Sequence, residues 1–139
     1  MAGALDPGPT TAGDALAAWL EHLRHERRAS PRTLEAYADC AGRYLGFLAR
    51  HRGGPLSLTD LAGVSAAEVR AYLAFRRQGA RPLSPRSLSQ ALSAIRSFHR
   101  WLDRRCGVAN AAIGLVRGPP RFARNRGSAG SRVKGRTAR

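Results

Sequence analysis

Acidic side chains are scarce in this sequence of 139 residues. Nine Asp and Glu stand against 24 Lys and Arg, so the formal net charge is +15, and Lys134 is the only lysine. A surface rich in guanidinium groups favours polyanionic partners. GC-rich coding DNA also favours Arg, Ala, Gly and Pro, so composition alone leaves the origin of this charge open. The placement of the arginines along the predicted helices must therefore show whether the charge serves a polyanionic partner.

Cysteines and long apolar runs are also few. Cys40 and Cys106 fit no C-x-x-C spacing and lie in helical patterns, which indicates reduced, half-buried thiols and a reducing compartment. No stretch approaches 18 apolar residues, and residues 1–13 are rich in Pro and Gly without the charge pattern of a secretion signal. We therefore expect a cytoplasmic protein with a flexible N-terminal segment, 1–13, and no membrane partner.

The common signatures of catalysis and metal binding are absent from the sequence. It contains no phosphate-binding G-x-x-x-x-G-K-[ST] loop, no G-x-S-x-G sequence and no paired carboxylates in an apolar setting. The four histidines make no metal-ligand spacing with one another or with the cysteines. We expect no enzyme activity from this chain alone, no metal, no cofactor and no small-molecule substrate.

Apolar residues at helical spacing run along most of the chain. From Asp14 they recur every three or four positions, which predicts a first helix from about Asp14 to Arg27 with one buried face. A capping box at Ser65 and Glu68 starts a short third helix, which Gly79 ends. Because no window alternates apolar and polar residues like a strand, each helix must be covered by other helices.

Two helix starts nearly repeat one another. Ser30-Pro31-Arg32-Thr33-Leu34 and Ser84-Pro85-Arg86-Ser87-Leu88 each place a capping serine before a proline at the first helical position. The missing N–H of that proline costs nothing there. The second helix is about five turns long and stops at Gly53, and the fourth continues to Arg105. The sequence therefore predicts an all-α fold, a four-helix bundle.

Residues 119–139 differ from the rest of the chain. They hold seven basic side chains and no acidic one, and they mix Arg, Gly, Ser and Ala with no apolar period. Such a composition cannot bury enough apolar surface to order itself, so we expect a disordered basic tail. The domain before it, residues 14–118, ends in a candidate short fifth helix near Asn110 to Val116 and is basic without the tail.

The outer face of the fourth helix carries the best candidate site. Six of its basic and polar residues fall within about 80° of one another, and no Asp or Glu occurs from Leu83 to Leu102. Arg and Gln can contact guanine and adenine edges in the major groove, while Ser and Arg reach phosphates. A merely solvated helix face is the alternative interpretation. The predicted DNA-binding residues of this helix are Arg86, Ser87, Gln90, Ser93, Arg96, Ser97, Arg100 and Arg104.

The two Ser-Pro-Arg starts offer a second kind of contact. The free N–H groups and the dipole at a helix N-terminus attract phosphate. Ser30, Arg32 and Thr33 stand beside the first of these starts and complete the set of predicted DNA-binding residues. Plain helix capping explains the same serines equally well.

Two separated motifs resemble the opening of XerC/XerD-type tyrosine recombinases. One runs from Leu20 through Ser30-Pro31-x-Thr33-Leu34 to Tyr37, and the other from Leu83 to Leu102, followed by Asn110-Ala111-Ala112. The resemblance spans residues 14–118 and implies an orthogonal, SAM-like core-binding domain. Such a domain forms half of a clamp around a recombination half-site of double-stranded DNA, with its second and fourth helices near the major groove. It also implies a role in DNA integration, site-specific recombination and chromosome segregation.

The resemblance also implies what these 139 residues lack. In the family a following domain supplies the arginine, lysine and histidine cluster and the tyrosine nucleophile. Members usually have proline where Ala111 stands, and the chain from Pro119 does not resemble the interdomain linker. Because a shifted frame of GC-rich DNA would give such a tail, we hypothesise a truncated or frameshifted recombinase gene product. An open reading frame that encodes the catalytic domain immediately downstream in the genome would support this hypothesis, and unrelated sequence there would refute it.

Two other functions compete with recombination-site binding. A protein-interaction bundle could join or inhibit a full-length recombinase assembly, and binding to a recombinase without DNA would favour it. A non-specific basic polypeptide could bind any nucleic acid by counterion release, and deletion of residues 119–139 would separate this from groove recognition.

Overall fold

The computed structural model describes residues 8–118, which fold as helices joined by short connections. Within these residues no strand forms, and one antiparallel bridge joins Thr11 to Ser57. The predicted all-α class is confirmed, with one helix more than the sequence indicated. The α-helices are α1 (Ala12–His25), α2 (Pro31–Arg52), α3 (Leu58–Ala62), α4 (Ala66–Gln78) and α5 (Pro85–Cys106), and a 3₁₀ helix follows at Ala111–Leu115.

Helix α1 begins two residues before its predicted start because Thr11 caps it. The Thr11 hydroxyl accepts an amide N–H from the first turn at 3.0 Å, and the amide of Ala12 donates to the carbonyl of Leu56. The helix therefore includes the last two residues of the predicted flexible segment, 1–13, whose first seven lie outside the described residues. It ends at His25, two residues short of the prediction.

The two predicted serine caps are confirmed at the starts of α2 and α5. The hydroxyl of Ser30, like that of Ser84, accepts the amide N–H of the third residue of its helix at 3.1 Å. Each helix has 22 residues and ends at a glycine, Gly53 or Gly107, whose φ angles of 87° and 69° favour a residue without a Cβ.

Helix α3 lies in a segment that was predicted to be a loop. Ser57 and Asp60 form a reciprocal capping box, in which each side chain accepts the backbone amide of the other residue. Five residues are too few to show a 3.6-residue period, so the apolar residues Leu56, Leu58 and Leu61 indicated only a connection. Leu61 is nonetheless fully buried, and α3 covers one end of the core.

Aromatic rings hold the four longer helices around one core. Trp19 of α1 stacks on Tyr37 of α2 and touches Phe98 of α5, with ring centroids 5.6 and 5.2 Å apart. Tyr44 of α2 meets Tyr72 of α4 edge-on at 5.7 Å. Helix α5 buries nine of its 22 residues, so a single face of it is left for a partner.

A buried polar pair lies inside this core. The Tyr44 hydroxyl is 2.8 Å from Nε2 of His99, and the two residues are 0% and 4% exposed. Burial lowers the pKa of His99 to about 4, and it raises the pKa of the Tyr44 hydroxyl. The hydrogen bond therefore joins two neutral side chains at physiological pH and links α2 to α5.

Arg52 ties the end of α2 to the start of α4. Its guanidinium donates to both carboxylate oxygens of Glu68, at 2.8 and 2.9 Å, and to the carbonyl of Gly63. Glu68 also completes the predicted capping box with Ser65, which is confirmed. The hydrogen bonds from Arg52 lower the pKa of Glu68 to about 2, and those from Ser65 act in the same direction.

Asn110 fixes the 3₁₀ helix that stands where the candidate fifth helix was predicted. Its side-chain amide donates to the carbonyls of Leu61 and Val64, each at 2.9 Å, and its Oδ1 accepts the amide of Ala112. These bonds join the end of the domain to α3 and to the connection before α4.

Candidate nucleic-acid interface

The predicted face of α5 is open to solvent along the helix. Arg86, Gln90, Ser93, Arg100 and Arg104 are all exposed. None of these five side chains hydrogen-bonds or pairs with another side chain of residues 8–118. Eighteen positions separate the first from the last, which is about 27 Å along an α-helix. The face therefore offers a long row of donors that the described chain itself does not use.

Three further predicted residues of α5 are partly covered. Ser87 and Ser97 are half-buried, and the hydroxyl of Ser87 accepts a hydrogen bond from Ser84 at 3.2 Å. Arg96 is half-buried as well, because its guanidinium donates to the carbonyl of Val116 beyond the 3₁₀ helix. Arg96 therefore lies at the edge of the exposed face and holds the following segment against α5.

Two acidic side chains lie towards the carboxyl end of α5. Glu26 accepts a hydrogen bond from Nδ1 of His22 at 2.6 Å and pairs with Arg105 at 3.3 Å. The hydrogen bond from His22 lowers the pKa of Glu26, and Arg105 lowers it further. Asp103 is the only acid of α5 and lies near its carboxyl end, so the donors from Arg86 to Ser97 occupy an acid-free stretch.

The two Ser-Pro-Arg starts lie towards opposite ends of α5. The pair between Glu26 and Arg105 places the turn from α1 to α2, and with it Ser30, near the carboxyl end of α5. Ser84 caps the amino end, and a helix of this length is about 33 Å long. The two starts are therefore separate and do not form one site.

At the start of α2 the hydroxyls are engaged within the chain. Ser30 donates to the Thr33 hydroxyl at 3.0 Å and accepts the Thr33 amide. Arg32 is exposed, and its side chain has no partner in the part of the chain that the structure describes. The hydroxyls of Ser30 and Thr33 are thus engaged in capping the helix. The Arg32 guanidinium is left without a hydrogen-bond partner among the described residues.

A basic groove between α2 and α4 was not predicted from the sequence. Its volume is about 450 Å³, and one of its walls is Phe75, which is 50% exposed. Arg43 pairs with Asp39 on one side of the groove, and Arg76 donates to the Tyr72 hydroxyl on the other. The only sequence signal was a run of small residues spaced four apart on α2, namely Ala38, Gly42 and Gly46.

Comparison with known proteins identifies the family. Residues 16–106 match the family described as phage integrase, N-terminal SAM-like domain. The chain belongs to this family. It is 43% identical over 101 residues to the tyrosine recombinase XerC of Bradyrhizobium diazoefficiens, a match that covers 73% of this chain and 31% of that protein. Over 109 residues it is 43% identical to XerC of Rhodospirillum centenum, covering 78% of this chain and 31% of the relative.

A solved structure shows the same SAM-like fold. The N-terminal domain of a phage integrase/site-specific recombinase from Haloarcula marismortui matches with a TM-score of 0.63, over 79% of this chain and 97% of that one. The two sequences are 16% identical, so this likeness concerns the fold alone. The resemblance to tyrosine recombinases and the SAM-like class are both confirmed.

This phage integrase N-terminal SAM-like domain spans about a third of the length of the curated recombinases that it matches. The region of the family that it matches is the N-terminal domain, so the chain is a recombinase-related domain. Among residues 8–118 no helix is long and apolar enough to cross a membrane. The same residues hold no group of three or more His, Cys, Asp or Glu arranged to bind a metal ion.

Proposed function

We propose that this domain binds double-stranded DNA at a recombination half-site through the exposed face of α5. The observation that carries the proposal is the row of donors from Arg86 to Arg104, which have no partner within the described chain and stand on a recombinase-type domain. The major groove admits an α-helix, and this face bears the residue types that contact base edges there. The domain would serve DNA integration, recombination and chromosome partition in the cytoplasm, without catalysing strand transfer alone.

The length of the row suggests which of its residues contact bases and which contact phosphates. It extends about 27 Å, whereas the major groove is about 12 Å wide. A helix that crosses the groove therefore has its centre over base edges and its ends over the two backbones. Gln90 and Ser93 are the proposed base contacts, with Gln suited to adenine, and Arg86 and Arg104 are the proposed phosphate contacts. Arg32 supplies a further phosphate contact from the start of α2.

A titration against two duplexes tests this function. The full chain and residues 1–118, which contain the whole described core, are titrated with a recombination half-site and with a scrambled duplex at near-physiological salt. We expect tighter binding to the half-site. Gln90→Ala, at a proposed base contact, should weaken that binding by about 1–3 kcal/mol and reduce the preference, whereas Arg86→Ala, at a proposed phosphate contact, should weaken binding to both duplexes about equally. Arg70→Ala, at an exposed arginine of α4, is the matched control. Equal binding of residues 1–118 to both duplexes would refute recognition by α5.

The groove between α2 and α4 favours a second candidate function, protein interaction within a recombinase assembly. Phe75 is a large apolar side chain that is half exposed beside arginines, a combination that suits a protein partner better than water. Full-length XerC-type recombinase, free of DNA, is the partner to titrate. Phe75→Ser would abolish this binding, whereas Leu115→Ser, at the more exposed leucine of the 3₁₀ helix, would leave it unchanged. Equal binding by both variants would exclude the groove.

A further inference from the structure

Small residues form the floor of the groove between α2 and α4. Ala38, Gly42 and Gly46 follow one another at spacings of four, so they share one face of α2 over about 12 Å. A Cβ placed on Gly42 or Gly46 would find no heavy atom within 4 Å beyond its neighbours in α2. Packed helices approach to about 8 Å where the side chains at their contact are small. The floor therefore leaves room for the backbone of a second helix to come close.

One wall of the groove is apolar and well supported. Phe75 of α4 is 50% exposed, and its ring packs on that of Phe47 with the centroids 5.4 Å apart. The ring is thus held in place although half of it faces solvent. Covering the exposed half with an apolar side chain is favourable. An occupant that fits this wall needs an apolar residue opposite Phe75.

The charged groups that line the groove are mostly cationic. Three arginines, Arg43, Arg50 and Arg76, stand there with one carboxylate, that of Asp39. Arg43 pairs with Asp39 at 2.8 Å, and Arg76 donates to the Tyr72 hydroxyl. Arg50 is exposed, and its side chain has no partner among residues 8–118. The lining therefore favours an occupant that carries acidic groups.

Charge and shape together favour one kind of occupant. A second copy of this chain is disfavoured because each copy carries a net charge of +15. A nucleic-acid backbone would bring its phosphates close to the carboxylate of Asp39, and it has no apolar side chain to cover Phe75. A protein helix with acidic residues beside an apolar stripe makes use of the floor, the apolar wall and the arginines at once.

We propose that the groove between α2 and α4 binds one acidic amphipathic α-helix of a partner protein. An apolar residue of that helix packs on Phe75 and over Gly42 and Gly46, and an acidic residue one turn away pairs with Arg50. This inference rests on the protein-interaction role proposed above for the groove, and it names the chemistry that the partner must present.

Stapled helical peptides are the probe for this chemistry. The acidic peptide has an alanine background with two leucines one turn apart and glutamates beside them, and in the basic peptide lysines replace the glutamates. Each is titrated with the full chain by fluorescence anisotropy. We expect the acidic peptide to bind and the basic one not to bind. Replacing both leucines by alanine should weaken binding at least about tenfold, because it removes the contact with Phe75. Equal binding with and without the leucines would overturn the proposal.

A leucine at position 46 tests whether the peptide occupies the floor. Gly46→Leu fills the groove, and because leucine is the better helix former and meets open space, the variant should melt at a higher temperature. It should nevertheless lose the acidic peptide. Ala17→Leu adds the same side chain at an exposed residue of α1, outside the groove, and should keep the affinity. A folded Gly46→Leu variant that still binds the peptide would contradict the proposal.

A charge reversal at Arg50 tests the proposed ion pair. Arg50→Glu should weaken binding of the acidic peptide about tenfold or more and should create binding of the basic peptide, because like charges across an interface repel. Arg70→Glu makes the same change at an exposed arginine of α4 outside the groove and should have little effect. Equal effects of the two variants would mean that net charge alone attracts the peptide, and the proposal would fall.

Other occupants of the groove give different results. If Gly46→Leu weakens binding to single-stranded or duplex DNA and leaves peptide binding unchanged, the occupant is a nucleic acid. If the chain forms dimers in sedimentation experiments and Gly46→Leu abolishes them without affecting the peptide, the occupant is a second copy. Either result would overturn the proposal.

This inference and the proposed protein-interaction function can fail separately. If full-length recombinase binds through Phe75 but the acidic peptide does not bind, the interaction function stands and the acidic helix is refuted. If the acidic peptide binds in the groove but the recombinase does not, the inference is supported and the recombinase is excluded as the partner.

Discussion

Asn110 joins three parts of the chain through one side chain. Replacement by Ala removes two donors to the carbonyls of Leu61 and Val64 and one acceptor for the Ala112 amide. Leaving such partly buried backbone groups without partners costs about 1–3 kcal/mol. We expect Asn110→Ala to lower the free energy of unfolding by that amount, seen as a lower urea midpoint with an unchanged m-value.

The neighbouring position provides the matched control. Ala111 is the exposed first residue of the 3₁₀ helix, and the extended backbone of Asn110 before it (φ −145°, ψ 97°) is compatible with a following proline. Ala111→Pro should therefore raise stability by about 0.5 kcal/mol, because it restricts the unfolded chain. A stable Asn110→Ala variant would mean that water takes the place of the Asn110 side chain in these hydrogen bonds.

His99 predicts a pH dependence of stability. The folded chain binds a proton at His99 with a pKa of about 4, whereas the ordinary value is 6.5. Protons therefore favour the unfolded state, so stability is complete above pH 6.5 and declines as the pH falls towards 4. We expect a loss of about 2 kcal/mol between pH 7 and pH 5, measured by urea unfolding.

A variant without this imidazole isolates its contribution. His99→Gln keeps a polar partner for Tyr44 but does not titrate, so its stability should change much less over the same interval. Glu68, whose pKa is lowered from 4.5 to about 2, affects stability only at lower pH. An equal decline in both proteins would show that protonation of His99 is not the cause.

At the scale of single helices, a substitution at Ser84 can distinguish helix capping from phosphate binding as the role of the start of α5. Aspartate caps a helix as well as serine does, and its charge is favourable at the N-terminus. Ser84→Asp should therefore keep or slightly raise the melting temperature, yet weaken half-site binding several-fold by repelling phosphate. Thr11→Asp makes the same change at the start of α1, for which no phosphate contact is proposed. Equal DNA affinity of the two variants would leave plain capping as the role of Ser84.

The helices that could be predicted are those whose ends have local signals. The starts of α2 and α5 are marked by a serine and a proline, and their ends by Gly53 and Gly107, all within a few positions of the boundary. Helix α3 has too few residues for periodicity, and the capping box of Ser57 and Asp60 was its only sign. That spacing of three positions is the feature that would have found it.

The candidate site could be predicted as far as it depends on one helix. The spacing of Arg86, Gln90 and Arg100 indicated their common face, and all three are exposed in the folded chain. The bond from Arg96 to Val116 joins residues 20 positions apart and depends on how the 3₁₀ helix packs, so no local pattern could have indicated it. The groove beside Phe75 escaped prediction for the same reason, because two helices form it.

Across the whole molecule, charge is distributed unevenly. Acidic side chains such as Glu26, Asp39 and Glu68 pair with basic ones on α1, α2 and at the start of α4. The exposed arginines of α5 have no acidic partner in the described chain, and the same holds for exposed arginines elsewhere, such as Arg27 and Arg70. If the domain binds DNA as proposed, we expect this unpaired positive charge to speed association before any base is read.

If residues 1–139 bind a half-site as proposed, they should compete for it with a full-length recombinase. We expect the full chain, added in excess to a full-length XerC-type recombinase, to reduce strand exchange in proportion to the half-sites it fills. Because it provides only part of the usual interface, competition should require concentrations well above that of the recombinase. The double variant Arg86→Ala, Arg100→Ala should not compete, while Phe75→Ser should. Inhibition that survives the double variant but is abolished by Phe75→Ser would instead place the effect in protein contacts at the groove.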